Sequence, residues 1–252
     1  MNQPRSVRKI PGPGPATAVR LVLVHSPLVG PACWDAVAVD LAGRGYEVSL
    51  PDLTGTLAAG PPYIPRQAET IARATAGRPA VLIGHSGAGP LLPLAGALAG
   101  ITVQGYVFVD ACLPIPGQSW MDTVPAELAA QVREMADTEG WLPPWSQWWG
   151  NEALAEILPD PGMRRAFAAD CPRLPLAIFT EVHPPAPPWS AAPAAYLQLS
   201  EAYEDQAARA RELGWPVARQ LSHHLALLTE PGLVAAALCE LLGHIGQAGQ
   251  TR

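Results

Sequence analysis

The sequence predicts an α/β protein: a mostly parallel, doubly wound sheet carrying a helical, Trp/Pro-rich cap insertion. Three observations lead there. Short apolar runs alternate with segments of helical periodicity. The runs are apolar throughout rather than at every second residue, as in strands covered on both faces. Between about residues 112 and 189 the alternation gives way to a proline-rich stretch holding most of the tryptophans, Trp120, Trp141, Trp145, Trp148 and Trp149 among them.

The elements follow in order. Residues 19–25 ("VRLVLVH") form an expected strand, ended by the Ser26-Pro27 pair and Gly30. A helix is expected over 33–45, with apolar residues three and four apart, and a strand over 46–53 ("YEVSLPDL"). "RQAETIARATAG" reads as an amphipathic helix closed by Gly77, since glycine suits the residue past a helix C-terminus. A buried strand over 79–86, an apolar helix over 89–100 and a strand over 103–111 come next. The insertion shows helical pieces at 124–139, 151–158 and 162–171 and no clear sheet strand; its aromatics either line a pocket or fasten the insertion to the sheet. Strand 194–200, helix 204–214, strand 215–222 and helix 231–245 restore the alternation. Residues 1–18 are expected to be a mobile leader before a single domain over 19–252.

Composition excludes several classes. The 252 residues carry a formal net charge of -6, with no basic face for nucleic acid. No apolar run approaches the ~20 residues that span a bilayer, and the N-terminal basic residues are not followed by the apolar core of a secretory signal. Cys33, Cys112, Cys171 and Cys239 are too far apart for metal-ligand spacing or a disulfide framework. The expectation is a cytoplasmic protein that needs no metal or cofactor and whose partner is a small-molecule substrate. Oligomeric state is not encoded in these features.

The chemistry centres on "VLIGHSGAGPLLP", where Ser86 lies between Gly84 and Gly87 at a strand-to-helix junction. Such a turn throws the hydroxyl outward above the sheet, and the following helix aims its N-terminus at the same point. An incidental serine in a glycine-rich turn is the bland alternative; the strand–turn–helix context favours a nucleophile. A nucleophilic serine needs a base. His223 and His224 follow the last expected strand, and residues just past the C-terminal ends of parallel strands gather at one sheet edge, where Ser86 also points. His25 and His85 flank motifs and are expected to hold backbone geometry.

These residues resemble the α/β-hydrolase fold over nearly the whole chain, through "LVLVHSPLVGPACW", "LPDL", "GHSGAG", "YVFVDACLP" and "HHLALLTEPGLVAAAL". The small plant-esterase and hydroxynitrile-lyase branch is the most similar. In that branch the catalytic histidine precedes an apolar run and then S/T-x-P; Leu225 to Leu228 followed by Thr229-Glu230-Pro231 selects His224. Ala88 stands where the serine motif usually ends in glycine. The resemblance places the triad acid after strand 194–200, near Ala202, which is not acidic. Asp110 at the end of the strand beside the nucleophile strand, Glu201 one residue off the usual place, and Glu181 in the insertion are the substitutes; a site without an acid is the remaining option.

The resemblance also implies an oxyanion hole formed by the amide after the nucleophile, here Gly87, and one from the first strand's loop. There the family pattern is His-Gly-x with x donating, and here it is His25-Ser26-Pro27. Proline has no N–H, so Leu28 must donate, or Ser26 must, or one donor is lost at a cost of about 2.7–4 kcal/mol in transition-state binding. Hydroxynitrile lyases carry a threonine at the Ser26 position, but also a lysine after the histidine, where this chain has Leu225. The expected function is a serine hydrolase acting on an ester, thioester or lactone of a fairly apolar small molecule. The alternatives are a non-hydrolytic lyase, cyclase or epimerase of secondary metabolism, and a ligand-binding protein without activity.

Overall fold

The computed structural model describes residues 7–10, 20–100, 102–148, 150–185 and 192–250. Its main sheet has seven strands in the order β1-β3-β2-β4-β5-β8-β9. These are β1 (Arg8–Ile10), β2 (Arg20–Val24), β3 (Glu47–Leu50), β4 (Ala80–His85), β5 (Val103–Val109), β8 (Ala194–Gln198) and β9 (Val217–Arg219). All neighbours run parallel except β1, which pairs antiparallel with β3. Arg8–Ile10 lies inside the segment expected to be a mobile leader, so that expectation fails there; the rest of the leader, apart from Val7, lies outside the described residues. Three residues of which two are basic give no apolar run to read.

The apolar strands are explained by burial on both faces. Leu21 and Leu23 of β2 pack with Trp34, Val37, Ile83 and Leu238, while Val22 and Val24 point the other way among Ile64, Ile71, Leu82 and Phe108. The first layer is formed by α1 (Asp35–Gly43) and α10 (Pro231–Gln250), the second by α2 (Tyr63–Ala74), α3 (Leu91–Leu98) and α8 (Glu204–Glu212). Elements fall within a few residues of expectation. Among the sheet strands the largest shortfall is β9, three residues long where eight were expected.

The insertion contains α4 (Ala126–Glu134), α5 (Gly150–Ile157), α6 (Pro161–Asp170) and α7 (Ala177–Thr180). It also contains what the sequence did not show, a two-stranded antiparallel ribbon of β6 (Trp141–Leu142) and β7 (Leu174–Pro175). Strands of two residues, one of them proline, leave no periodicity to detect. The expected end of the insertion, residues 186–189, lies outside the described residues. Cap aromatics mostly pack among themselves: Trp120 and Trp148 meet Phe179 at ring distances of 5.0 and 6.0 Å. A latch joins cap to sheet, because Asp170 at the end of α6 accepts the Ala32 N–H at 3.0 Å. Gly30 makes room for it, since a Cβ there would lie 2.3 Å from the Asp170 carboxylate.

Candidate active site

The C-terminal ends of β2, β4, β5 and β8 converge at one edge of the sheet. In register, Val24 faces Gly84, His85 faces Val109, and Val109 faces Leu197. The residues that follow these ends therefore share one place, and two of them have left-handed backbone. Ser86 has φ +57° and Asp110 φ +41°. Non-glycine residues seldom adopt such angles and do so mainly where surrounding structure enforces them.

At Ser86 the enforcement comes from the turn. The Ser86 carbonyl accepts the N–H groups of Gly89 and Cys112, both at 3.2 Å, which ties the turn to the segment following β5. Gly89 is the glycine this crossing needs most, because a Cβ would come 2.0 Å from the Cys112 carbonyl oxygen. Gly84 would press only on the flexible end of Leu92, at 3.0 Å, and Ala88 is fully buried without left-handed backbone. The short motif Gly-x-Ser-x-Ala thus tolerates its departure, and the stringent position is one residue beyond it.

At Asp110 the enforcement comes from β8. The Tyr196 hydroxyl donates to the Ala111 carbonyl at 2.9 Å and accepts the Ala111 N–H at 3.0 Å, fixing the turn after β5. The Asp110 carboxylate is fully buried. Oδ1 accepts the N–H groups of Leu199 (2.9 Å) and Ser200 (3.0 Å); Oδ2 accepts the Ser200 hydroxyl at 2.6 Å and lies 2.7 Å from His224 Nδ1. Burial disfavours its charge, but the His224 hydrogen bond and charge, with Ser200 and the Leu199 amide, outweigh that and hold its pKa below the ordinary carboxylate range.

Neither glutamate takes this position. Both Glu181 carboxylate oxygens cap the first turn of α2, accepting from Tyr63 N (2.7 Å) and Ile64 N (2.9 Å). Glu201 is exposed on a short 3-10 turn. Sequence spacing could not decide among the three, because what sets Asp110 apart is a pair of backbone amides just past β8, some ninety residues away.

His224 makes two close ring contacts: His85, with ring centroids 4.4 Å apart, and Tyr203, stacked at 4.9 Å with the planes 3° apart. His85 Nε2 lies 3.0 Å from the His224 carbonyl oxygen, which it satisfies as an N–H donor. Burial, with the nearby His224, pulls the His85 pKa down to about 3, so His85 is neutral. Trp145 brings the cap to the site, its ring 6.4 Å from that of His224. His223 points elsewhere, meeting the Leu225 N–H and the Thr229 hydroxyl.

Tyr203 was not foreseen. Its hydroxyl lies 3.3 Å from Ser86 Oγ, and burial raises its pKa, so the phenol stays neutral. The sequence offers one retrospective signal: Tyr203 sits in the loop where the family resemblance places an acid.

The loop after β2 completes the edge. His25 is buried and spans it, Nδ1 donating to the Ser26 carbonyl at 2.8 Å and Nε2 accepting the Leu53 N–H at 2.9 Å. Ser26 is buried too, and a Cβ on Gly87 would lie 3.2 Å from Ser26 Oγ and 3.5 Å from Pro27 Cδ. The Leu28 N–H points at Ser26 Oγ, 3.3 Å away. The Leu28 amide, the substitute for the N–H that Pro27 lacks, is therefore already engaged by a hydroxyl.

A serine on a strained strand-to-helix turn, linked through the Tyr203 ring to an imidazole that is hydrogen-bonded to a buried carboxylate, on a doubly wound sheet carrying a helical insertion, fits a hydrolase-fold enzyme. The chain belongs to the alpha/beta hydrolase family, whose model matches residues 21–237. A pyrethroid hydrolase of Sphingobium wenxiniae is 32% identical over 110 residues, covering 40% of this chain and only 39% of that protein's length. Among solved structures, an extracellular alpha/beta-hydrolase from a Paenibacillus species superposes with a TM-score of 0.72 at 19% identity, over 88% of this chain and 98% of its own. That protein is described as sharing structural and functional homology with tobacco salicylic acid binding protein 2. A pyrethroid hydrolase from Sphingobium faniae gives 0.63 at 23% identity, over 89% of this chain and 97% of its own. Polyneuridine aldehyde esterase gives 0.66 at 18%, over 89% and 99%. At these identities the likeness is one of fold.

Proposed function

We propose that this protein is an esterase in which Ser86 is the nucleophile, His224 the base and Asp110 the acid that orients it. The observation that carries the reading is the conjunction of Ser86 at φ +57° with the 2.7 Å contact between His224 Nδ1 and Asp110. Ser86 Oγ attacks the acyl carbon while its proton passes to His224 Nε2. Asp110 keeps the Nδ1–H tautomer and favours the imidazolium that results. The tetrahedral intermediate collapses as His224 hands that proton to the departing alcohol. Water, activated by the same imidazole, then releases the acid and restores Ser86.

Oxyanion stabilisation uses Gly87 N–H and the Ser26 hydroxyl. Ser26 Oγ accepts from Leu28, which leaves its own proton to donate toward the site. A hydroxyl thereby supplies what Pro27 cannot. The substrate is a fairly apolar small ester, thioester or lactone. Supporting this are Trp145 beside His224 and Leu28, which packs on both the sheet core and the cap core. The similar proteins, a pyrethroid hydrolase and a polyneuridine aldehyde esterase, support ester chemistry.

The test joins a fluorophosphonate probe, read by mass addition on Ser86, with hydrolysis of p-nitrophenyl butyrate against Ser86→Ala. Labelling and turnover above the control are expected. Labelling without turnover would move the Ser/His pair to non-hydrolytic proton transfer; absence of both would sink the serine nucleophile.

A further inference from the structure

We propose that Tyr203 is a further catalytic residue: its hydroxyl donates a hydrogen bond to the leaving-group oxygen, so that the enzyme cleaves esters of poorly acidic alcohols. The proposal rests on the esterase reading above. Its geometry is independent of the triad assignment. The phenol touches the nucleophile, with Oη 3.3 Å from Ser86 Oγ, and its ring lies flat against His224, planes 3° apart. Two reacting groups are thus bridged by one side chain.

The side of the site follows from proton delivery. His224 takes the Ser86 proton and returns it to the leaving oxygen, so that oxygen must pass beside the imidazole. Tyr203, stacked on this ring and reaching Ser86, occupies the same side, whereas Gly87 and Ser26 meet on the oxyanion side. In the resting site the phenol hydrogen-bonds Ser86 Oγ. Once that oxygen has become part of the acyl linkage, the phenol O–H turns to the departing alkoxide. The bond that breaks is between acyl carbon and leaving oxygen, the electron pair stays on that oxygen, and the proton it receives comes from His224. Tyr203 gives up no proton, consistent with a phenol that burial keeps neutral.

Its placement is secured by the rest of the site. The loop carrying Tyr203 is anchored at Leu199 and Ser200 by Asp110, the carboxylate that also holds His224. The loop where the family resemblance expects the acid delivers a phenol, while the carboxylate that meets His224 stands just after β5.

The experiment compares wild type, Tyr203→Phe and Ser86→Ala on p-nitrophenyl, phenyl, trifluoroethyl and ethyl butyrates, with fluorophosphonate labelling alongside. Phenylalanine keeps the stacked ring, and matching circular dichroism with wild type verifies folding. Expected is a loss of kcat/KM that grows as the alcohol becomes less acidic, about tenfold greater for the ethyl ester than for the p-nitrophenyl ester, the size of one lost hydrogen bond. Labelling of Ser86 should continue, because fluoride departs without help. An equal loss across all four esters and in labelling would mark a merely structural role and overturn the proposal. An unchanged dependence on the alcohol would overturn it as well. If wild type itself fails to exceed Ser86→Ala on every ester, the esterase reading falls first and the leaving-group role with it.

Discussion

Four donors converge on the Asp110 carboxylate, two backbone amides, one hydroxyl and one imidazole N–H. A fully buried charge is tolerable only with such a set, because leaving any of its oxygens bare costs several kcal/mol. Asp110→Asn keeps the shape but offers an amide that cannot favour the imidazolium. A fall in kcat of about 10³–10⁴-fold is expected, measured on p-nitrophenyl butyrate. Ser26→Ala is a separate test of the hydroxyl in the oxyanion hole. It should lower kcat about 10²-fold with KM little changed, and a rise in KM with kcat unchanged would remove Ser26 from that role. The proposed nucleophile Ser86 and base His224 stand out in the sequence because a local motif marks each. The proposed acid does not, since Asp110, Glu181 and Glu201 differ only in which amides reach them through space. The role proposed for Tyr203 was invisible for the same reason: it rests on a stack with a residue twenty-one positions on.

Among the elements, β2, β4 and β5 were readable because burial on both faces makes them continuously apolar. The edge strand Arg8–Ile10 and the β6–β7 ribbon are too short and too polar or proline-bearing to carry a pattern. Two element-scale predictions concern junctions. Gly89→Ala forces a Cβ to within 2.0 Å of the Cys112 carbonyl, which only backbone movement can relieve. A loss of about 3 kcal/mol in a urea unfolding titration is expected. Glu181→Ala removes the carboxylate that caps α2 from the cap insertion, and should cost about 1–2 kcal/mol with kcat unchanged. A large loss of kcat in Glu181→Ala would return that glutamate to the chemistry.

For the molecule as a whole, buried histidines set the acid limit. His25 and His85 are both fully buried and kept neutral, their pKa values lowered chiefly by loss of solvation, His85 to about 3. In the unfolded chain each takes up a proton below about pH 6.5, while the folded protein does not. Stability is therefore complete above pH 6.5 and declines as pH falls toward the folded values, approaching about 1.4 kcal/mol per pH unit for each histidine. Asp110 acts lower down: with its folded pKa depressed, its contribution persists until pH drops below about 4. Urea midpoints at pH 7.5, 6.5, 5.5 and 5.0 should be level at first and then fall. A level profile to pH 5 would mean that neither imidazole remains neutral in the fold.

The separation of the acid from the loop after β8 also bears on how this enzyme can diversify. Leu199 contributes only its N–H to Asp110, and any residue except proline supplies the same group. Glu201 is exposed and carries none of the contacts that hold the acid. On the proposed assignment, a lineage or a laboratory library that exchanges side chains at 201 to 203 retunes the choice of leaving alcohol, while the carboxylate that meets the imidazole is inherited unchanged from the turn after β5.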